Sequence, residues 1–254
     1  MSQERRETAA IVLDSREHGE ADKIITVYTR DSGRITGIAK GASKSKKRFL
    51  NKLELFSFLS LSYTANKRSS LAFIADADLH SSFVEIRRKI DLYNAASFIR
   101  ETLLIATTDG EGDPEIFTLL HWALQSLDLG KSSLDICTVF LLRLFERLGY
   151  RPDFNHCCVC NSPFDLHQHY TFNHHSGGLV CRRCEEKVTG SSIDLTAGTI
   201  QILRSALNEP IERLHRLKFS RQALNQSLPM LHRYARNLFQ RDIHSWKAVR
   251  NMLN

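Results

Sequence analysis

The spacing of apolar positions changes near residue 80. Before it, apolar and polar residues alternate over short runs. Thr8–Asp14 and Lys23–Thr29 are rich in Ile, Val and Thr, and Arg34–Ile38 follows the loop Asp31-Ser32-Gly33. Phe56–Tyr63 sets Phe56, Phe58, Leu59, Leu61 and Tyr63 against serines, and Leu71–Ala77 adds a fifth run. A period of two predicts strands, and a glycine closing the loop before Arg34 predicts a hairpin. Five short strands in succession suit a small closed barrel, with an OB-fold as the leading candidate and an SH3-like barrel as its rival. This stretch shows no convincing helix to lie across the barrel's end.

Beyond residue 80 the apolar residues recur every three or four positions. Phe83, Ile86, Ile90, Tyr93, Ala96 and Ile99 through Leu103 form one stripe. Asp113-Pro114 opens a helix reaching Leu127, and Ser132-Ser133 opens another that Gly149 stops after Leu148. Residues 150–190 are dense in Cys, His, Asn and Gly, and helical stripes return through Ile202, Leu203 and Leu207 and through Leu228, Leu231, Tyr234 and Leu238. The chain therefore reads as an α+β protein of more than one domain: a five-stranded barrel over residues 1–80 and a helical domain over 81–254 with an insertion at 154–190.

That insertion carries the most specific chemistry. Cys157 and Cys160 form one C-x-x-C, Cys181 and Cys184 another, with 20 residues between the inner pair. Each short turn lets two thiolates approach one ion, and two such turns complete a tetrahedron, so the spacing predicts one structural Zn²⁺ with no open position for catalysis. Arg151, Arg182, Arg183 and Lys187 are near enough in sequence to screen the resulting negative charge. Cys158 breaks the spacing and reads as a bystander, and Cys137, between Ile136 and Val139, as a small core residue. His156, His167, His169, His174 and His175 are alternative ligands that a complete cysteine set does not need.

The six cysteines favour a metal over disulfides because no apolar leader follows Met1-Ser2-Gln3-Glu4, which predicts a cytoplasmic protein in a reducing compartment. No run approaches the length of a membrane span; the densest, Val139–Phe145, is interrupted by Arg143. Ordinary composition, 42% hydrophobic and 25% charged, excludes disordered and collagen-like classes.

Charge adds a partner. The net +7 conceals two basic regions: residues 30–52 carry +7, residues 203–250 another +7, and the remainder −7. Such segregation is expected of a protein with a localised polyanionic partner. The first region comprises Arg30, Arg34, Lys40, Lys44, Lys46, Lys47, Arg48 and Lys52. In an OB-fold a cationic loop here follows phosphates, with Tyr28, Phe49 and Tyr63 available to stack on bases or to fill the core, and Phe56, Phe58 and Phe73 assigned to the core. In the second region Arg213, Arg216, Lys218 and Arg221 could meet DNA or receive an acidic peptide. No phosphate-binding glycine loop, zinc-protease, deaminase or nucleophile-elbow motif occurs, so no catalytic residues are assigned. Two rival readings remain: a protein-interaction adaptor whose charge is incidental, and a zinc hydrolase or deaminase.

Several motifs fall in one order. Gly19-Glu20-x-Asp22-x-Ile24 with Thr26 and Thr29 is followed by Ala39-Lys40-Gly41-Ala42. Then come Leu148-Gly149-Tyr150-x-Pro152-Asp153, Cys157-x-x-Cys160, Gly177-Gly178-x-x-Cys181-x-x-Cys184 and the tail Arg241-x-Ile243-x-Ser245. Together these resemble the bacterial DNA repair protein RecO family. Leu55 replaces a usual proline, and Gln240 and His244 replace a usual glycine and lysine. The resemblance implies an N-terminal OB-fold, a helical C-terminal domain and an embedded zinc knuckle, though some relatives lack the cysteines. It implies a non-catalytic recombination mediator, cytoplasmic and nucleoid-associated. Such a mediator binds single- and double-stranded DNA, anneals complementary strands, partners RecR and engages the C-terminal tail of single-stranded-DNA-binding protein so that RecA can load.

Overall fold

A computed structural model describes residues 5–45, 47–65 and 71–253. The chain forms two compact units: residues 1–88 with 106–128, and residues 89–105 with 129–254. Sequence texture alone divides the chain at residue 80. In the structure the first helix, α1 (Val84–Arg88), and the third, α3 (Pro114–Asp128), group with the strands, whereas α2 (Ile90–Ala106) falls almost wholly in the second unit. Side-chain contacts explain the grouping of α1. Its N-terminus is capped by the Asp128 carboxylate of α3, which accepts from the Glu85 and Ile86 amides, and Arg87 donates to the Leu55 carbonyl and Ser57 hydroxyl beside the strands.

The strands of the first unit are β1 (Arg5–His18), β2 (Asp22–Thr29), β3 (Gly33–Ala39), β4 (Phe58–Thr64) and β5 (Ala72–Ser81). They close a barrel in the order β1-β2-β3-β5-β4, the OB-fold expected from the sequence. β1 is twice as long as the run Thr8–Asp14 suggested because it serves two neighbours. Its first half pairs with β4 and its second with β2, and the register slips between Val12 and Asp14 to bend it. Among the described residues β3 and β5 pair at Gly37↔Ala72 and Ile38↔Phe73, in parallel. A Cβ on Gly37 would lie 2.6 Å from Ile74 Cδ1 and 3.0 Å from the Ala72 carbonyl oxygen, so a side chain there would force Ile74 to move and glycine fits the close approach.

Inward residues such as Val12, Ile25, Val27, Leu59, Leu61 and Ile74 fill the barrel. The segment between β3 and β4, which begins with a single 3-10 turn at Ala42–Lys44, sends Phe49 and Leu53 into the same core, the office a helix performs in many such barrels. Of the two roles the sequence leaves open to Tyr28, Phe49 and Tyr63, burial assigns all three to the core. Phe73, expected in the core, is a correction. With Ala72 and Ile74 inward, the period of two turns Phe73 outward, 39% exposed. Phe56 is core as expected, and Phe58 is half-buried, edge-on to His121 at 4.6 Å.

In the second unit α4 (Ser133–Arg147) is buried on almost every side and packs on α5 (Ala197–Asn208) and α6 (Arg221–Phe239). Arg143, which interrupts its apolar run, donates to the Leu207 and Glu209 carbonyls at the end of α5 and pairs with Glu146 at 2.8 Å. It thereby satisfies backbone acceptors that a helix end leaves open. Gly149, at φ 82, ends the segment as predicted. Cys137 is fully buried and desolvation pushes its thiol pKa up, consistent with a packing role. Between α4 and α5 lie four strands that the sequence had not suggested: β6 (Asp153–Cys157), β7 (Tyr170–Asn173), β8 (Gly178–Cys181) and β9 (Ser192–Leu195), ordered β6-β8-β7-β9. At four or five residues they are too short for alternation to register.

The last helix, α7 (Trp246–Asn251), is pinned to α6 by Trp246 stacking on His232 at 4.4 Å and 10°. Desolvation, reinforced by Arg236, lowers the His232 pKa from 6.5 to about 4, so the fold favours the neutral ring. The unfolded chain takes up the proton first; this contribution is therefore complete above about pH 6.5 and is lost as pH falls towards 4. With allowance for solvent screening, the loss is on the order of 2 kcal/mol. The urea midpoint should fall between pH 7.5 and pH 5, and His232→Phe, which keeps a ring for Trp246, should flatten part of that fall.

Candidate metal centre and nucleic-acid interface

Four cysteines converge. Cys157 ends β6, Cys160 lies in the turn that follows, Cys181 ends β8 and Cys184 sits in the 3-10 turn Arg182–Lys187. All four sulfurs lie within 4.8 Å of one another, and Cys160 Sγ is 3.8 Å from Cys181 Sγ. A tetrahedral ion with bonds of about 2.3 Å places its sulfurs about 3.8 Å apart, whereas a disulfide needs about 2.05 Å. Among the described residues only these cysteines form such a group.

Local backbone geometry produces the convergence. Asn161, at φ 57, folds the first turn back so that its amide donates to the Cys157 carbonyl at 2.8 Å. The Cys181 amide points at Cys157 Sγ at 3.4 Å, the kind of N–H···S contact that supports a thiolate. Cys158 donates its amide to Leu179 and stays outside the group, as its spacing predicted.

The thiols do not titrate alike. Hydrogen bonds from Ser162 draw Cys160 down to about 6, while desolvation and hydrogen bonds with the neighbouring thiols push Cys184 up to about 12. Four thiolates this close repel one another, and a divalent cation removes that repulsion, so the donor set fits a soft metal ion. Cys160→Ser or Cys184→Ser should abolish metal retention, read by mass spectrometry of metal content, and lower the thermal midpoint. Cys158→Ser should retain both.

Two of the histidines are otherwise engaged. His174 is buried with Nδ1 2.6 Å from the Ser191 carbonyl oxygen, and His169 lies between Glu185 and Asp194 at 3.3 and 3.4 Å. Arg151, expected to screen the sulfurs, instead pairs with Glu146 and donates to Asn208 at 2.9 Å. Arg182 and Arg183 are exposed beside Cys181.

The basic stretch divides by role. Lys40, Lys44 and Lys47 are exposed on the loop after β3, and Arg30 is exposed at the end of β2. Arg48 lies 4.8 Å over the Phe49 ring and donates to the Lys40 carbonyl at 3.1 Å; Lys52 donates to the Ala77 carbonyl at 2.6 Å and pairs with Asp78. These two cations fasten the loop, and the Lys52 bonds run to β5. Arg34 pairs with Asp109. Lys46 lies outside the described residues. The loop is held on its other side by the Asp22 carboxylate, which accepts the Gly41 amide at 2.8 Å, and by the Ser43 amide donating to the Ala21 carbonyl. The exposed lysines therefore project from a fixed loop.

In the second unit Arg213 and Arg216 are exposed on a 3-10 turn at Ile211–Arg216, Lys218 is exposed after it, and Arg221 opens α6 and donates to the Met252 carbonyl at 3.2 Å. Among the described residues no helix is long and apolar enough to cross a membrane.

With this geometry in place, comparison with known proteins is decisive. Two family models match the chain: Recombination protein O N terminal over residues 1–83, and Recombination protein O C terminal over residues 87–247. The chain belongs to the RecO family. DNA repair protein RecO of Syntrophus aciditrophicus is 30% identical over 95% of this chain and 94% of its own length. That of Syntrophobacter fumaroxidans is 30% identical over 95% and 96%, and that of Desulfatibacillum aliphaticivorans 32% over 88% of each chain. Membership of the RecO family assigns a role in DNA repair and recombination. It also makes sense of the motifs: the Asp22–Gly41 bond joins the first two, so those residues build the loop that carries the lysines.

Proposed function

We propose that this chain is a recombination mediator that binds single- and double-stranded DNA and anneals complementary strands without catalysis. The observation that carries the reading is the cluster of exposed Lys40, Lys44 and Lys47 on a fastened loop of an OB-fold barrel, in a chain of the RecO family. Lysines on such a loop neutralise phosphates, and neutralising two strands at once screens their mutual repulsion; annealing then needs raised local concentration and no chemistry. Phe73, exposed on β5 opposite Ile38 of β3, is the aromatic available beside this surface for stacking. Arg30 extends the cationic track. Arg34, Arg48 and Lys52 act chiefly by holding the loop and barrel in shape.

The four-cysteine centre takes one structural Zn²⁺, held by Cys157, Cys160, Cys181 and Cys184, which closes the β6–β8 edge and supplies folding free energy. In the cell the protein acts in the cytoplasm at the nucleoid, with RecR and the acidic C-terminal tail of single-stranded-DNA-binding protein as partners, so that RecA can load. Arg213, Arg216, Lys218 and Arg221 are the cations proposed to receive that tail or to meet DNA.

Fluorescence anisotropy with a labelled single-stranded oligonucleotide tests the reading. If about six phosphates are neutralised, log K falls against log salt with a slope near −4. Replacing Lys40, Lys44 and Lys47 with Ala should shallow that slope by about 2 and slow annealing of complementary oligonucleotides. A salt-independent affinity, or binding and annealing unchanged in the triple variant, overturns it.

A further inference from the structure

The end of α6 carries a cationic cleft distinct from the residues proposed above to meet DNA. Arg233, Arg236, Asn237 and Gln240 recur at helical spacing along one face, and with Arg241 they line a cavity of about 490 Å³. Asp242 is the single carboxylate in its lining, paired with Arg236 at 2.8 Å. Three guanidiniums thus converge against one acid.

The cleft is built rather than incidental. Gln240 adopts φ 51, the left-handed conformation that ends a helix, and its amide donates to the Arg236 carbonyl at 3.0 Å. The chain therefore turns sharply and brings Arg241 back beside the helix face. The following residues are locked. Ile243 is buried, and the Glu101 carboxylate of α2 accepts the His244 and Ser245 amides at 2.8 Å each, together with the Ser245 hydroxyl. On the other side Asn237 donates to the His174 carbonyl at 3.0 Å, and His174 in turn is tied to Ser191, which also lines the cavity. The tail motif Arg241-x-Ile243-x-Ser245 therefore has two parts: Ile243 and Ser245 anchor the segment, and Arg241 faces the cleft.

The lining chemistry selects the ligand. Planar guanidiniums match phosphate oxygens in paired hydrogen bonds, and the Gln240 and Asn237 amides add neutral polar groups. No apolar side chain lines the cavity, so an acidic peptide ending in an apolar residue would find no seat for that end. We infer that this cleft binds the phosphodiester backbone of a nucleic-acid strand, a second contact site carried by the helical unit. The inference rests on the DNA-binding reading above and adds residues which that reading does not use.

The test uses the full chain, a labelled single-stranded oligonucleotide and anisotropy across a salt series. Replacing Arg233, Arg236 and Arg241 with Ala should weaken binding at least tenfold at fixed salt and shallow the log–log slope by about 2, at about 0.7 per lost phosphate contact. Asp242→Asn, which removes the competing carboxylate, should tighten binding several-fold, a gain that a misfolded protein cannot produce. Unchanged slope and affinity in the triple variant, or no gain in Asp242→Asn, overturn the cleft while leaving the barrel reading intact if Lys40, Lys44 and Lys47 still matter. Loss of affinity for an acidic, apolar-ended peptide with DNA binding unchanged overturns it in favour of a protein ligand. Absence of DNA binding by the wild-type chain removes both readings.

Discussion

Barrel closure between β3 and β5 is the contact on which the first unit depends. Among the described residues two pairs make it, and at one of them a Cβ on Gly37 would press on the Ile74 side chain and the Ala72 carbonyl. If these strands parted, β3 would become a free edge, and the loop that follows it would lose the surface on which Arg48 and Lys52 are fastened. The loop that carries the exposed lysines owes part of its fastening to that closure, through the Arg48 and Lys52 bonds to β5. An electrostatic surface needs more than charge: flexible cations lose entropy on binding, whereas a loop already held by carbonyls and carboxylates loses less.

The second unit uses buried or half-buried charges in a comparable way. Arg143 ends α5 by donating to its last carbonyls, and Glu101 holds the segment after α6 through two amides and a hydroxyl. Each charged group meets backbone dipoles rather than a single counter-ion, which compensates desolvation with several directional bonds. The strands beside the four cysteines are short but well buried, with Tyr170, Phe172, Leu179 and Val180 all fully covered, and the cysteines draw the ends of β6 and β8 together.

Several residues of the RecO motifs prove architectural. Asp22 and Gly41 join one loop to another, and Gly149 terminates a helical segment at φ 82. Gly177 lies where a Cβ would stand 2.7 Å from the Tyr234 hydroxyl, which itself donates to the Tyr150 carbonyl. Gln240 occupies a left-handed position, at which a glycine would carry no steric penalty. Motif residues of this kind identify a family because the fold constrains them, and they do not by themselves mark a binding surface.

Local physics made most of the fold readable from the chain. Alternation located all five barrel strands, a proline and serines located helix starts, and cysteine spacing located the four-cysteine cluster, since each signal is carried by residues close in sequence. Alternation does not say which phase faces inward: it places Phe73 in the core and leaves Tyr28 and Tyr63 open between stacking and core, and barrel closure decides those faces. Nor does the sequence separate cations that fasten a loop from cations that face solvent, because Lys44 and Lys52 look alike until Ala77 and Asp78 are brought beside one of them. The sequence by itself determined the period of the barrel strands and of the long helices, the spacing of the four cysteines and the location of charge. Tertiary structure alone decided which charges converge, as on the cleft at the end of α6, because convergence depends on long-range approach that no local spacing encodes.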